Sequence, residues 1–214
     1  MKNNQKIGGI ASLIEAIIFV FGFAFLLTVL GPTTNEKLNS IDKLSFLIEH
    51  KTSYQLWILT IYVVFGIVLI PLTITINRSF KEPSLWGTMV TPIFGFIWSG
   101  LVIASGMIAS TGIDTVVNIY ATDNNQAVIV WKTIESIQNG LGGGVEIVGG
   151  IWVLLISLNG LKGSVFPKFL NYLGLIVGAA GILTVIPGLK DVGAVFGLLQ
   201  IVWFAWLGIT MLKD

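Results

Sequence analysis

Two carboxylates and an amide recur at helical spacing in the segment ESIQNGLGGGVEIVGG, which begins at Glu135. Asn139, Gly142 and Glu146 follow at intervals of four, three and four residues. This spacing would place all four positions on one face of a continuous α-helix. Such a face could bind a polar or cationic group, and glycine would let a ligand approach the backbone closely. The segment therefore predicts a binding site that also includes Gly143.

A third acid, Glu15, lies about eight residues into the apolar stretch KIGGIASLIEAIIFVFGF, or about 12 Å along a helix. Glu146 lies about as far into its own apolar stretch from the opposite side. A carboxylate at such depth in hydrocarbon costs several kcal/mol unless it is protonated, paired or in contact with water. We therefore expect Glu15 and Glu146 to meet near the membrane midplane as a proton-sharing pair or in a ligand pocket, and Trp98 to line that pocket.

The same residues also have a structural interpretation, in which the polar face is a buried seam that bonds neighbouring helices. Each glycine of GLGGG costs about 1 kcal/mol in a helix relative to alanine. The segment therefore either continues as a helix longer than the membrane or breaks at GLGGG, and both alternatives stay open. Two other glycine pairs, Gly174 with Gly178 and Gly193 with Gly197, have the GxxxG spacing that predicts close helix packing.

The elements that must position these residues are membrane helices. The chain has 214 residues, of which 54% are hydrophobic and only 11% charged, whereas about a quarter are charged in soluble domains. Several uncharged runs reach the roughly 20 residues that cross a hydrocarbon core as a helix. We predict an all-α polytopic membrane protein, a six-transmembrane-helix bundle in a single integral membrane domain. The predicted spans are about 7–30, 56–76, 85–110, 138–158, 169–186 and 192–212.

The first predicted outer loop contains NSIDKLSFLIEHK, which has apolar residues at helical spacing on one face. Asn39 or Ser40 could cap a helix that starts there. The pattern predicts a short amphipathic helix that lies in the membrane interface or covers the bundle. A packed surface turn is the alternative.

Orientation follows from the basic residues, which favour the cytoplasmic side of a membrane. Those on the predicted inner side are Lys2, Lys6, Arg78, Lys81, Lys162, Lys168 and Lys213. Those on the predicted outer side are Lys37, Lys43, Lys51, Lys132 and Lys190. We expect both termini to be cytoplasmic.

The chain lacks the residues that several classes of function require. The chain has no cysteine and no histidine within a predicted span, so thiolate or histidine metal sites, histidine-ligated haem and a Ser–His protease are not expected. No phosphate-binding loop GxxxxGK[ST] occurs, and a net charge of +1 argues against nucleic-acid binding. We expect no metal, cofactor or catalytic residue. The weaker alternative is an intramembrane enzyme that uses Glu15 and Glu146 as acid and base.

The segment IVGGIWVLLISLNGLKGSVFPKFLNYLGLIVGAAGIL resembles the C-terminal half of bacterial membrane proteins in the domain-of-unknown-function 4386 family. The similar features are a glycine-led apolar helix, a short basic loop with Ser164 and Pro167, and a helix with spaced glycines. The stretch KIGGIASLIEAIIFVFGF resembles the opening helix of that family. The resemblance implies a six-helix protein of the bacterial inner membrane and supplies no reaction, substrate or site residue.

The leading functional hypothesis is a membrane protein that binds, or also transports, a small amphiphile, a lipid or a lipophilic cation in an intramembrane polar cavity. Surrounding membrane lipid is the other expected partner. The alternative is a non-catalytic membrane subunit or regulator, in which the polar face and the GxxxG faces contact a partner protein or a second copy of the chain.

Overall fold

The computed structural model describes residues 2–80, 84–189 and 191–213, and within these ranges the chain forms helices and no strand. The all-α prediction is therefore confirmed for the described residues. Lys81, Lys190 and the side chain of Lys2, which entered the charge comparison, lie outside the described part. The main helices are α1 (Lys2–Thr28), α2 (Ser40–Glu49), α3 (Lys51–Ser79), α4 (Leu85–Tyr120), α5 (Asn124–Gln138), α6 (Ile147–Gly163), α7 (Lys168–Leu183) and α8 (Val192–Lys213).

Five helical segments among the described residues are long and apolar enough to cross a membrane: Gln5–Thr28, Lys51–Ser79, Leu85–Tyr120, Asn124–Gly163 and Val192–Lys213. They match five of the six predicted spans. The remaining prediction, 169–186, corresponds to α7, an apolar helix of 16 residues. Its length of about 24 Å is less than the roughly 30 Å of a hydrocarbon core.

Several helices extend past the apolar runs that predicted them, because their ends build a second hydrophobic core. We call this the upper core; it includes Leu44 and Leu47 of α2, Ile113 of α4 and Trp131 of α5. The Asn39 side chain caps α2 by accepting a hydrogen bond of 2.9 Å from the Asp42 backbone N–H, as the sequence predicted. The larger central core belongs to the apolar parts of α1, α3, α4, α6, α7 and α8.

Helices α6 and α7 form an antiparallel pair with very close backbones. A Cβ atom built on Gly150 of α6 would lie 2.7 Å from the backbone oxygen of Gly178 and 2.9 Å from the carbonyl carbon of Gly181. Gly174 of α7 lies against Ser157 of α6. The packing role predicted for Gly174 and Gly178 is therefore confirmed.

Helix α8 packs antiparallel to α1. The Ser12 hydroxyl donates a hydrogen bond of 2.7 Å to the backbone oxygen of Phe204, and Gly197 lies against the ring of Phe23. These two contacts fix which levels of α1 and α8 face each other.

Candidate functional site

The helix breaks at the glycine cluster. Helix α5 ends at Gln138 and is followed by one π-helical turn, Asn139–Gly143, in which Gly142 has φ 115° and ψ 19°. This left-handed region is accessible mainly to glycine. The chain then leaves helical geometry until α6 starts at Ile147. The segment therefore breaks at GLGGG and does not continue as one long helix. Glu135 and Glu146 consequently do not share one helical face.

A threonine from α7 fixes the chain after the break. The backbone N–H of Glu146 donates a hydrogen bond of 2.7 Å to Thr184 Oγ1, and the Thr184 hydroxyl donates one of 2.7 Å to the backbone oxygen of Gly181. Glu146 is the N-cap residue of α6, but its side chain makes no capping hydrogen bond. Its carboxylate also has no hydrogen-bond or ion-pair partner among the residues that the structure describes.

Glu146 lines a cavity of about 240 Å³, here called the lower cavity, between α1, α3, α4, α8 and the break. Its walls are largely aromatic: Phe19, Phe23, Trp57, Tyr62, Phe65, Trp98 and Phe196. Glu146 is the one acid among the described residues that line it, and no lysine or arginine is among them. The lower cavity is thus an apolar, aromatic space with a single carboxylate in its wall.

A second cavity of about 440 Å³, here called the upper cavity, lies between the end of α1, helix α2, the start of α3 and helix α5. Its lining is more polar, and it includes three charged side chains, Lys43, Lys132 and Glu135. Gln138 and Asn139 line it as well. Helix α2, which contributes Lys43, covers one side of this cavity.

The two cavities adjoin, because Leu26, Trp57, Tyr62 and Gly143 line both. The Tyr62 hydroxyl donates a hydrogen bond of 3.4 Å to the backbone oxygen of Gly143. Trp57 Nε1 donates one of 3.0 Å to the backbone oxygen of Gly22, which fixes α3 to α1 at this level. These side chains form the partition between a polar upper cavity and an aromatic lower one.

The predicted site residues are distributed over this arrangement. Glu135 and Asn139 line the upper cavity, whereas Gly142, Glu146 and Trp98 line the lower one. Gly143 lies at the partition. The side chains expected to form one polar face therefore belong to two adjoining spaces.

Glu15 does not line either cavity. Its side chain is fully buried, and neither carboxylate oxygen has a hydrogen-bond partner among the described residues. The pairing of Ser12 with Phe204 places Glu15 at the level of Gln200, whose amide atoms are also buried and without partners in the described part of the chain.

The break at the glycine cluster packs beside a different part of α8 from the part that faces Glu15. A Cβ atom on Gly193 would stand 3.8 Å from the backbone oxygen of Gly144. The seven residues from Gly193 to Gln200 span about 10 Å along α8. Glu15 and Glu146 line no common cavity among the described residues, and their use as an acid–base pair stays a prediction.

Sequence reasoning did not identify several lining residues. Tyr62 and Lys43 are far from the glycine cluster in sequence, and no spacing rule connects them with it. Trp57 lies at the start of the predicted span 56–76, where tryptophan commonly anchors a helix at the membrane surface, so its position does not by itself indicate a cavity. For Phe19 and Phe23 the sequence does give a weak indication of an aromatic wall, because their spacing of four residues puts two rings on one face of α1.

No family model, no curated protein and no solved structure matches this chain. The resemblance to the domain-of-unknown-function 4386 family therefore stays a prediction. Within the described residues, no group of three or more His, Cys, Asp or Glu side chains is placed to hold a metal ion.

Proposed function

We propose that the chain is an integral membrane protein that binds a small amphiphilic molecule across the two adjoining cavities. The observation that carries this proposal is their shared partition, which places a polar, charged space next to an aromatic one. Ligand sites are commonly concave and mostly apolar, with a few polar groups that fix orientation. The apolar part of the ligand would lie among the rings of the lower cavity and be stabilised there by removal from water.

The proposal includes a topology. Six helices cross a bacterial cytoplasmic membrane, with α7 as the shortest crossing and both termini on the cytoplasmic side. The apolar outer surface supports this arrangement: Ile17 and Leu27 of α1 are 65% and 72% exposed, and Phe169 of α7 is 75% exposed. Large apolar surfaces of this kind mark contact with lipid or with other proteins. Helix α2 would then lie at the outer membrane surface, over the upper cavity.

Filling the lower cavity should remove the ligand without unfolding the protein. A Cβ atom at Gly193, which lines this cavity, would have only ordinary contacts, the nearest at 3.7 Å. We expect Gly193→Leu to place its side chain in the cavity and exclude the ligand. Native mass spectrometry of protein extracted in mild detergent should then show a bound small molecule on the wild type and its loss from the variant.

The matched control is Gly100→Leu, because Gly100 of α4 is exposed and a Cβ atom there would have no neighbour within 4 Å. This variant should retain the bound molecule. A wild-type protein that carries no small molecule, or equal retention in both variants, contradicts the proposal. A stoichiometric partner protein in place of a small molecule supports the alternative of a non-catalytic membrane subunit.

A further inference from the structure

We infer that the lower cavity selects a cationic group, an alkylammonium or arylammonium, through Glu146 and the surrounding rings. This inference rests on the proposed function and specifies its ligand class. The proposed amphiphile would carry its positive charge in the lower cavity.

The first argument is charge balance. Among the described residues, Glu146 is the one acidic side chain that lines the lower cavity, and its carboxyl group has no hydrogen-bond or ion-pair partner there. Glu146 is half-buried beside aromatic walls, where an opposite charge nearby favours the ionised form of a carboxyl group. An ammonium group would provide the missing opposite charge. An anion in the same space would meet a like charge and no lysine or arginine of the described lining.

The second argument is the composition of the walls. Cations are attracted to the faces of aromatic rings, and tryptophan and tyrosine attract them more strongly than phenylalanine does. Trp57, Tyr62 and Trp98 line the lower cavity together with four phenylalanine residues. Neutral apolar groups would also contact these rings, but they would leave Glu146 unpaired. Rings and one acid together therefore favour a cation over a neutral group of the same shape.

The upper cavity is a poorer cation site, although it also contains an acid. Glu135 shares that space with Lys43 and Lys132, and both lysines repel a cationic ligand. The preference for positive charge should therefore depend on Glu146.

The test uses two probes of the same shape, phenyltrimethylammonium and its neutral isostere tert-butylbenzene. Equilibrium dialysis of the full-length protein in detergent, with protein-free micelles as reference, gives the affinity for each probe. We expect the wild type to bind the cation about tenfold or more tightly than the isostere. Glu146→Gln should lose this preference while it still binds tert-butylbenzene, and Glu146→Asp should retain it.

Glu36→Gln is the matched control, because Glu36 is exposed and lines neither cavity. It should behave as the wild type does. Equal wild-type affinity for the two probes, or an unchanged preference in Glu146→Gln, overturns the inference and leaves the proposed function intact. If the wild type binds neither probe, both the inference and the proposed function are overturned. The comparison of probes on the wild type does not depend on how any variant folds.

Discussion

Gly150→Ala should destabilise the protein by about 1–3 kcal/mol, the usual cost of overpacking a well-packed interior. The added methyl group would lie 2.7 Å from the backbone oxygen of Gly178 and from the backbone nitrogen of Ile182. Both neighbours belong to the backbone of α7, so no side-chain rotation can relieve the contact. Helices α6 and α7 would have to separate, and the Thr184 contact that fixes the break would move with them.

The expected result is a fall of about 2–12 °C in the apparent melting temperature, measured by tryptophan fluorescence in detergent. Gly100→Ala is the control, because the new methyl group has open space and alanine favours a helix by about 1 kcal/mol over glycine. If Gly150→Ala and Gly100→Ala are equally stable, the result contradicts the close approach of α6 and α7.

Gly142→Ala should both destabilise the protein and remove ligand binding. Gly142 has φ 115°, and a side chain in such a conformation costs on the order of 1–3 kcal/mol. The nearest neighbour of the new methyl group would be Val102 Cγ1 at 3.4 Å, an ordinary contact, so the cost comes from the backbone. The strain is relieved if the segment straightens, and that movement would take Glu146 out of the lower cavity.

The control for this variant is Gly140→Ala. Gly140 lies in the same π-helical turn, is exposed, and a Cβ atom there would have no neighbour within 4 Å. Melting temperature and the retained small molecule can be measured for both variants as above. Retention of the ligand by Gly142→Ala at wild-type stability would contradict the role given to the break.

The helical class was predictable because apolar composition and the length of uncharged runs determine it almost independently of tertiary contacts. Local signals also restricted the cap of α2 to Asn39 or Ser40 and predicted the close packing at Gly174 and Gly178. The upper end of α4, beyond the predicted span 85–110, was not predicted, since its apolar residues are too sparse for a membrane span and are buried against other helices of the upper core.

The sequence indicates a possible break at GLGGG but does not decide whether it occurs. Helix propensity gives the free-energy cost of each glycine in a helix, and it does not say whether tertiary contacts offset that cost. The deciding contact is the hydrogen bond of Thr184 with the backbone N–H of Glu146, which joins residues far apart in the chain. The expected meeting of Glu15 and Glu146 assumed a continuous helix. Once the chain breaks, residues counted along it no longer measure depth, and the two acids lie at different levels.

The most direct test of the two-cavity site is the accessibility of Val102 to water. Val102 lines the lower cavity and is only 3% exposed, and the natural chain has no cysteine. In Val102→Cys, a membrane-impermeant, positively charged methanethiosulfonate reagent should reach the thiol through the upper cavity and add its mass to the intact protein. Gly100→Cys lies two residues away on the exposed face of α4. In lipid its thiol should stay unmodified, because a charged reagent does not enter the hydrocarbon core. A Val102→Cys protein as unreactive as Gly100→Cys would show that the lower cavity is closed to water, contradicting the proposed site.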